Sequence, residues 1–567
     1  MSNDLEALGQ RRRVIWLGVV FLAVGLILVG RLAWWQLVPR QEITQLGLGA
    51  NDRPNVIPAI RGGIVDATGH HLAISTVTCE IAVAPQLLEA EKRAELVPWL
   101  AAVLDEPEDD IAQAMEETGS NHVILGRNKP VWVGAQIEDL GLAVFSVTYH
   151  VRRTYPDGGL AAPVLGFVDY QSQGQYGLER QYDRELAGVD GTWYGVRNTW
   201  GEHILVSLAG YRPAQDGVNL ALALDRNIQH AAETLLSEAV RRSGAEGGNL
   251  IVMDPRTGAI LAMTNYPAYQ PGAYWEVDDL DRFVNTSISA IYEPGSVFKP
   301  LTLAAALEAG VISRTDTYDD RGEIIVGDQR IMNSDRRAHG VTTMTELLAY
   351  SRNVGAAHVA TLLGPTRFYE MMRRFGMGEV TGIDLAYESA GIMRVPGNPQ
   401  WHMSDLGTNS FGQGISTTPL QVVAAYGALA NNGLLMRPYV VAEVHDGDTV
   451  EARSPVRVRR VLSAEVAREI TEMMADAVDM GMHNAVVPGY RMAGKSGTSQ
   501  IAARTGYQER TSIASFIGYG PLPDPRFVVL VKIDKPQEGY WGEEVAAPVF
   551  REMCEFLVDY YGIPPTR

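Results

Sequence analysis

The chain has 567 residues, 46% of them hydrophobic and 20% charged, which is an ordinary globular composition but too much length for one core. Two or three domains are expected. The formal net charge of −19 argues against a nucleic-acid partner, which needs a basic face. Cys79 and Cys554 lie near opposite ends and read as buried free thiols rather than a disulfide framework. Neither HExxH nor CxxC occurs, so nothing suggests a metal site or a cofactor.

Residues 1–13 end in Arg11, Arg12 and Arg13, and an uncharged run from Val14 to Gly30 follows, extended by Leu32 to Val38. The three arginines mark a cytoplasmic side, and Trp34 and Trp35 suit the outer interface. The run is longer than a signal-peptide core and no A-x-A site follows it, so 14–38 predicts an uncleaved transmembrane anchor with the rest of the chain outside the cytoplasm. Residues 39–215 mix short strands and helices around turns such as RGGIVDATGHHLA (61–73) and RTYPDGG (153–159), and assemble no catalytic group. From residue 216 the pattern sharpens into a second, catalytic module, 216–567. Ile228, Ala231, Ala232, Leu235 and Ala239 recur at helical spacing, with Asp225 as N-cap and Gly244 as C-cap. NLIVMDPRTGAILAMTN predicts a hairpin, while RMAGKSGTSQ, TSIASFIGYG and PRFVVLVKID predict three antiparallel strands. A helix over 548–561 closes the chain. Hairpins flanked by helices imply an α+β fold.

EPGSVFKP (293–300) places Lys299 three residues after Ser296, where the two share a helix face. A serine hydroxyl needs an adjacent base to act as a nucleophile. Pro294 and Gly295 turn the chain into a helix start, and Pro300 has no N–H to offer the Ser296 carbonyl. Val297 and Phe298 would help desolvate the lysine and lower its pKa. An S-x-x-K string alone occurs about once by chance in a chain of this size. Two further strings strengthen it: YSRNVG (350–355) puts Ser351 and Asn353 in a loop between predicted helices, and RMAGKSGTSQ puts Lys495, Ser496, Gly497 and Thr498 on a predicted strand. His339 and His402 read as turn or surface residues, and Gly412 and Gly414 as a tight turn.

S-x-x-K, S-x-N and K-[ST]-G in this order resemble the penicillin-recognising serine transpeptidases and β-lactamases. The anchor and long non-catalytic module resemble the class B penicillin-binding proteins, and VAAPVF (545–550) is most similar to their FtsI-type division branch. The resemblance implies a pedestal (dimerisation-like) module over 39–215 and D,D-transpeptidation of peptidoglycan stem peptides through an acyl-enzyme on Ser296. By motif position it makes Lys299 the base, has Ser351 and Asn353 relay protons and hold substrate, and has Lys495, kept protonated, bind the terminal carboxylate with Ser496, Gly497 and Thr498. The oxyanion hole would be the backbone N–H groups of Ser296 and Thr498. β-Lactams would be covalent inhibitors. The membrane partner would be an FtsW-like or RodA-like glycan polymerase, with Gly18 and Gly25 on one helix face and Arg31 near the outer end of the span. Arg352 stands where β-lactamases carry aspartate, which favours a transpeptidase over a drug-hydrolysing enzyme. The rivals are an elongation-type transpeptidase, a β-lactam sensor or β-lactamase relative, and a nucleotide site at GYRMAGKS (489–496), which fits the P-loop string but lacks its strand-to-helix setting.

Overall fold

The structure is a computed structural model, and it describes residues 2–37, 55–117, 119–120, 122–193, 196–197, 203–204, 211–503 and 506–566. Residues 1–58 with 190–214 form one unit, and 59–189 with 215–567 form a second. The first contains helix α1 (Ser2–Leu37), whose segment Ile15–Trp34 has a mean hydropathy of 2.4 and is long and apolar enough to cross a membrane. Among the described residues none covers its exposed Trp16, Phe21, Leu26 and Ile27, as suits a lipid solvent. Val38, the expected outer end of the span, lies outside the described residues.

The second unit begins with β1 (Ile64–Val65), β2 (His71–Val83), β3 (Val123–Pro130) and β4 (Phe145–Thr154). The long, β-branched β2 pairs antiparallel with β4 over Ile74–Val83 and with β3 at its C-terminal end. Cys79, Ile81 and Val83 meet Leu100, Leu104, Val133 and Ile137 from neighbouring helices in a small separate core. Strand β5 (Asn219–Leu222) pairs parallel with β1 and antiparallel with Val441–Asp446, so the two modules share one sheet.

The segments that carried no chemistry in the sequence build the joint. Glu179, fully buried, accepts from Arg61 Nε and Arg153 Nε at 2.7 Å each, and Arg61 also reaches Asp183 at 2.8 Å. Asp66 accepts from Thr68 and His70 N–H within its own turn and from Arg226 N–H at 3.0 Å, at the start of helix α2 (Arg226–Ser243). Asp225 caps that helix, and Gly244 ends it at φ +61°, both as the sequence predicts.

The catalytic module is organised by β6 (Gly247–Met253) and β7 (Ile260–Tyr266), then helix α3 (Lys299–Glu308), α4 (Met344–Ala349), α5 (Asn353–Leu363), α6 (Pro419–Ala430) and α7 (Ala464–Gly481). Three further strands follow, β8 (Ala493–Ala503), β9 (Gly506–Gly520) and β10 (Phe527–Asp534), and then helix α8 (Ala547–Tyr560). They form a five-stranded antiparallel sheet in the order β7-β6-β10-β9-β8. Every residue of β6 and nearly all of β10 is buried, because α2 and α8 pack against one side of this sheet and α6 against the other. The fold is α+β, and β8, which carries the K-S-G string, is an edge strand.

Candidate active site

Gly295 adopts φ +63°, a conformation that suits glycine, and opens a 3-10 turn over Gly295–Phe298 that runs into α3. Pro300 removes the α-helical partner of the Ser296 carbonyl, which instead accepts from Lys299 N–H in the tighter pattern. Lys299 Nζ then lies 3.1 Å from Ser296 Oγ. The turn is held from below. Tyr426 on α6 donates its hydroxyl to the Val297 carbonyl at 2.6 Å, and Gly295 N–H donates to the Gly412 carbonyl at 3.1 Å. A Cβ on Gly412 would sit 2.3 Å from the Gly295 carbonyl oxygen, so the glycine serves the nucleophile turn directly.

Ser351 lies in the loop between α4 and α5 at φ +57°, and Asn353 is the first residue of α5. Lys299 Nζ is 3.0 Å from Ser351 Oγ and 2.8 Å from Asn353 Oδ1, and it also contacts the Ser351 carbonyl. Lys299 is completely buried. Burial first, then the positive charges of Lys495 and Arg352, hold its pKa well below the usual lysine range.

On β8, Lys495 is also fully buried, with Nζ donating to the Ser496 carbonyl at 2.9 Å and to Ser496 Oγ at 3.3 Å. A Cβ on Gly497 would lie 2.8 Å from Val297 Cγ1, so the strand packs on the nucleophile turn only because this residue lacks one. Thr498 Oγ1 accepts from Gly542 N–H at 3.0 Å. Burial pushes Lys495 down to about 7 against the opposing pull of Glu543, and a carboxylate bound beside it would favour its charged form.

Ser296, Ser351, Asn353, Ser496 and Thr498 line one cleft of about 600 Å³, with Lys299 beneath it. The same cleft contains Tyr350 and Arg352 from the YSRNVG string and, outside the motifs, Asp335, Tyr540, Trp541 and Glu543. Arg352 Nη1 pairs with Asp335 at 2.8 Å and its guanidinium sits 5.4 Å from the Tyr350 ring centre, while His339 Nε2 is 2.9 Å from the same carboxylate. Arg352 was visible inside S-R-N. Asp335 has no local signal, since only tertiary folding brings residues 334–335 beside α5. A larger cavity of about 1070 Å³, lined by Asp157, Arg226 and Tyr269 among others, contains none of the three motifs. Lys495 on an edge strand followed by another strand removes the phosphate-loop reading, which requires a helix at that point. Gly18, Gly25 and Arg31 lie on α1, where a Cβ on either glycine would meet nothing within 4 Å.

Residues 248–555 match the family model for the penicillin-binding protein transpeptidase domain, and residues 56–222 that for the penicillin-binding protein dimerisation domain. The chain belongs to the class B penicillin-binding proteins. This penicillin-binding protein is 32% identical to stage V sporulation protein D of Bacillus subtilis, over 98% of the chain and 87% of the relative. It is 26% identical to the peptidoglycan D,D-transpeptidase FtsI homolog of Mesostigma viride, over 98% of the chain and 96% of the relative. It is similar to the crystal structure of penicillin-binding protein 3 from Mycobacterium tuberculosis complexed with aztreonam, at TM-score 0.70 and 28% identity, covering 90% of this chain and 98% of that one. It is a serine-type D,D-transpeptidase of the FtsI branch, with a single-pass N-terminal anchor and an extracytoplasmic catalytic domain.

Proposed function

We propose that this penicillin-binding protein cross-links stem peptides in septal wall synthesis through an acyl-enzyme on Ser296. The observation that carries the reading is the 3.1 Å approach of a buried, pKa-depressed Lys299 to Ser296 Oγ. A neutral amine has two hydrogens and one lone pair. The Ser351 carbonyl and Asn353 Oδ1 can only accept, so they take the two hydrogens and leave the lone pair for the Ser296 proton. Ser296 Oγ then attacks the penultimate D-Ala carbonyl carbon, and its proton passes through Lys299 to the departing amine of the terminal D-Ala. Ser351 completes the relay. Lys495, Ser496 and Thr498 bind the terminal carboxylate, with Gly497 permitting the close approach of β8. The N–H groups of Ser296 and Thr498 serve the oxyanion, worth roughly 3 kcal/mol each. In this division of labour 39–215 is the pedestal and 216–567 the enzyme.

The test is covalent labelling. Penicillin-treated protein should yield one adduct by peptide mass spectrometry, on the peptide containing Ser296, and Ser296→Ala should yield none. An adduct on Ser351 or Ser496 would overturn the assignment. The relative solved with aztreonam supports β-lactams as the covalent probes.

Helix α1 supports a membrane partner as well. Gly18 and Gly25 leave open space on one face where a second helix can approach, and Arg31 near the outer end offers a charge to a polar group. An FtsW-like glycan polymerase fits a septal role, and a RodA-like one an elongation role. Leucine at Gly18, Gly25 and Arg31 together should abolish co-purification with that polymerase and spare penicillin labelling; retained co-purification would reduce the helix to a tether.

A further inference from the structure

The cleft has two carboxylates in its walls, Asp335 and Glu543. Asp335 is already neutralised by Arg352 at 2.8 Å and faces His339 at 2.9 Å. Glu543 is different. Among the described residues no cationic side chain lies within ion-pair distance of it, and its carboxylate accepts only a long bond, 3.4 Å, from Asn484 N–H. Its backbone is nonetheless fixed. Gly542 N–H is tied to Thr498 Oγ1 at 3.0 Å, a Cβ on Gly542 would lie 2.2 Å from the Gly497 carbonyl, and Asn484 Nδ2 donates to the Glu543 carbonyl at 3.1 Å. A half-buried carboxylate is therefore held beside Ser496, Thr498 and Trp541, facing the cleft, where its charge acts on Lys495 from beyond ion-pair distance.

The reaction supplies one. On the reading given above, terminal D-Ala departs with its carboxylate on the Lys495–Ser496–Thr498 wall. The acceptor amine enters the position that the departing amine vacated, because aminolysis runs the first half-reaction in the opposite sense. That position is on the wall that carries Glu543. The incoming amine travels as an ammonium ion, and with Asp335 already paired to Arg352, Glu543 is the carboxylate of these two left to meet it.

We propose that Glu543 is the subsite for the ammonium group of the acceptor stem peptide. The ammonium is drawn in by the carboxylate and releases one proton to water. The amine nitrogen then bonds to the acyl carbon as the carbon–Oγ bond breaks, and its second proton passes through Lys299 to Ser296 Oγ. Glu543 binds and orients, and takes no proton.

The experiment rests on the transpeptidase reading and separates the two. Full-length protein in detergent is acylated by an N-acyl-glycyl thioester of D-2-mercaptopropionate, and the ratio of aminolysis to hydrolysis is measured with two acceptors. Nα-acetyl-L-lysinamide presents an isolated ammonium; D-alanine presents an amine beside a carboxylate. Glu543→Gln should lower the ratio about tenfold for acetyl-lysinamide and less than about threefold for D-alanine, and Glu543→Asp should recover part of the loss. An equal loss for both acceptors, no loss for either, or wild-type transfer to D-alanine alone overturns the subsite. Slowed acylation by the thioester with a shifted pH profile also overturns it, since Glu543 would then act through Lys495. A wild-type protein that forms no acyl-enzyme removes the transpeptidase reading itself, and the subsite with it.

Discussion

Lys299→Ala should slow acylation of Ser296 by a β-lactam by about 10²- to 10⁴-fold while weakening the initial non-covalent complex far less, because a base acts chiefly in the transition state. Stopped-flow acylation with a fluorescent penicillin separates the two constants. Equal losses in both would assign Lys299 to packing. The wild-type pH profile supplies a second arm. Attack needs Lys299 neutral, so the rate rises as pH rises through its depressed pKa. Carboxylate binding needs Lys495 charged, and its pKa in the unliganded cleft is about 7, so the second-order rate constant falls as pH rises past that point. The descending limb should move upward once substrate is bound, since an anion beside Lys495 stabilises its charged form. A profile still climbing at pH 9 in the unliganded enzyme would contradict the placement of Lys495.

Glu179→Ala should destabilise the second unit by about 3–5 kcal/mol, the usual cost of leaving buried charges uncompensated. Arg61 and Arg153 both end on this carboxylate, each at 2.7 Å, and Arg153 Nη2 already lacks a partner in the intact cluster. Thermal unfolding followed by loss of penicillin labelling measures the effect. Replacing all three with apolar residues, Arg61→Met, Arg153→Met and Glu179→Leu, should recover much of the lost stability. A single Glu179→Ala change that leaves the unfolding temperature unaltered would mean that the joint does not depend on this cluster.

Local chemistry along the chain settles a good deal before any folding is considered. The apolar run after three arginines defines a membrane-length helix, and Asp225 and Gly244 define both ends of α2, because caps depend on neighbouring backbone. The alternating and apolar runs near the C-terminus define three strands. Ser296 and Lys299 are close because they share one turn, and Pro300 makes that turn tighter than an α-helix. Ser351, Asn353 and Lys495 are named by short motifs, yet nothing in the spacing of those motifs brings them to Lys299. Packing of α5 and β8 around the nucleophile turn does that, and it requires Gly412 and Gly497, whose missing side chains make the contact possible. The lowered pKa of Lys495 is likewise tertiary, because it comes from complete burial rather than from any neighbour in sequence. So is the meeting of Asp335 and Glu543 in one cleft, since they lie more than two hundred residues apart. Local sequence governs interactions spanning a few residues of backbone. Long-range packing alone governs desolvation, charge pairing and the shape of the cleft, because each depends on atoms from distant segments arriving together.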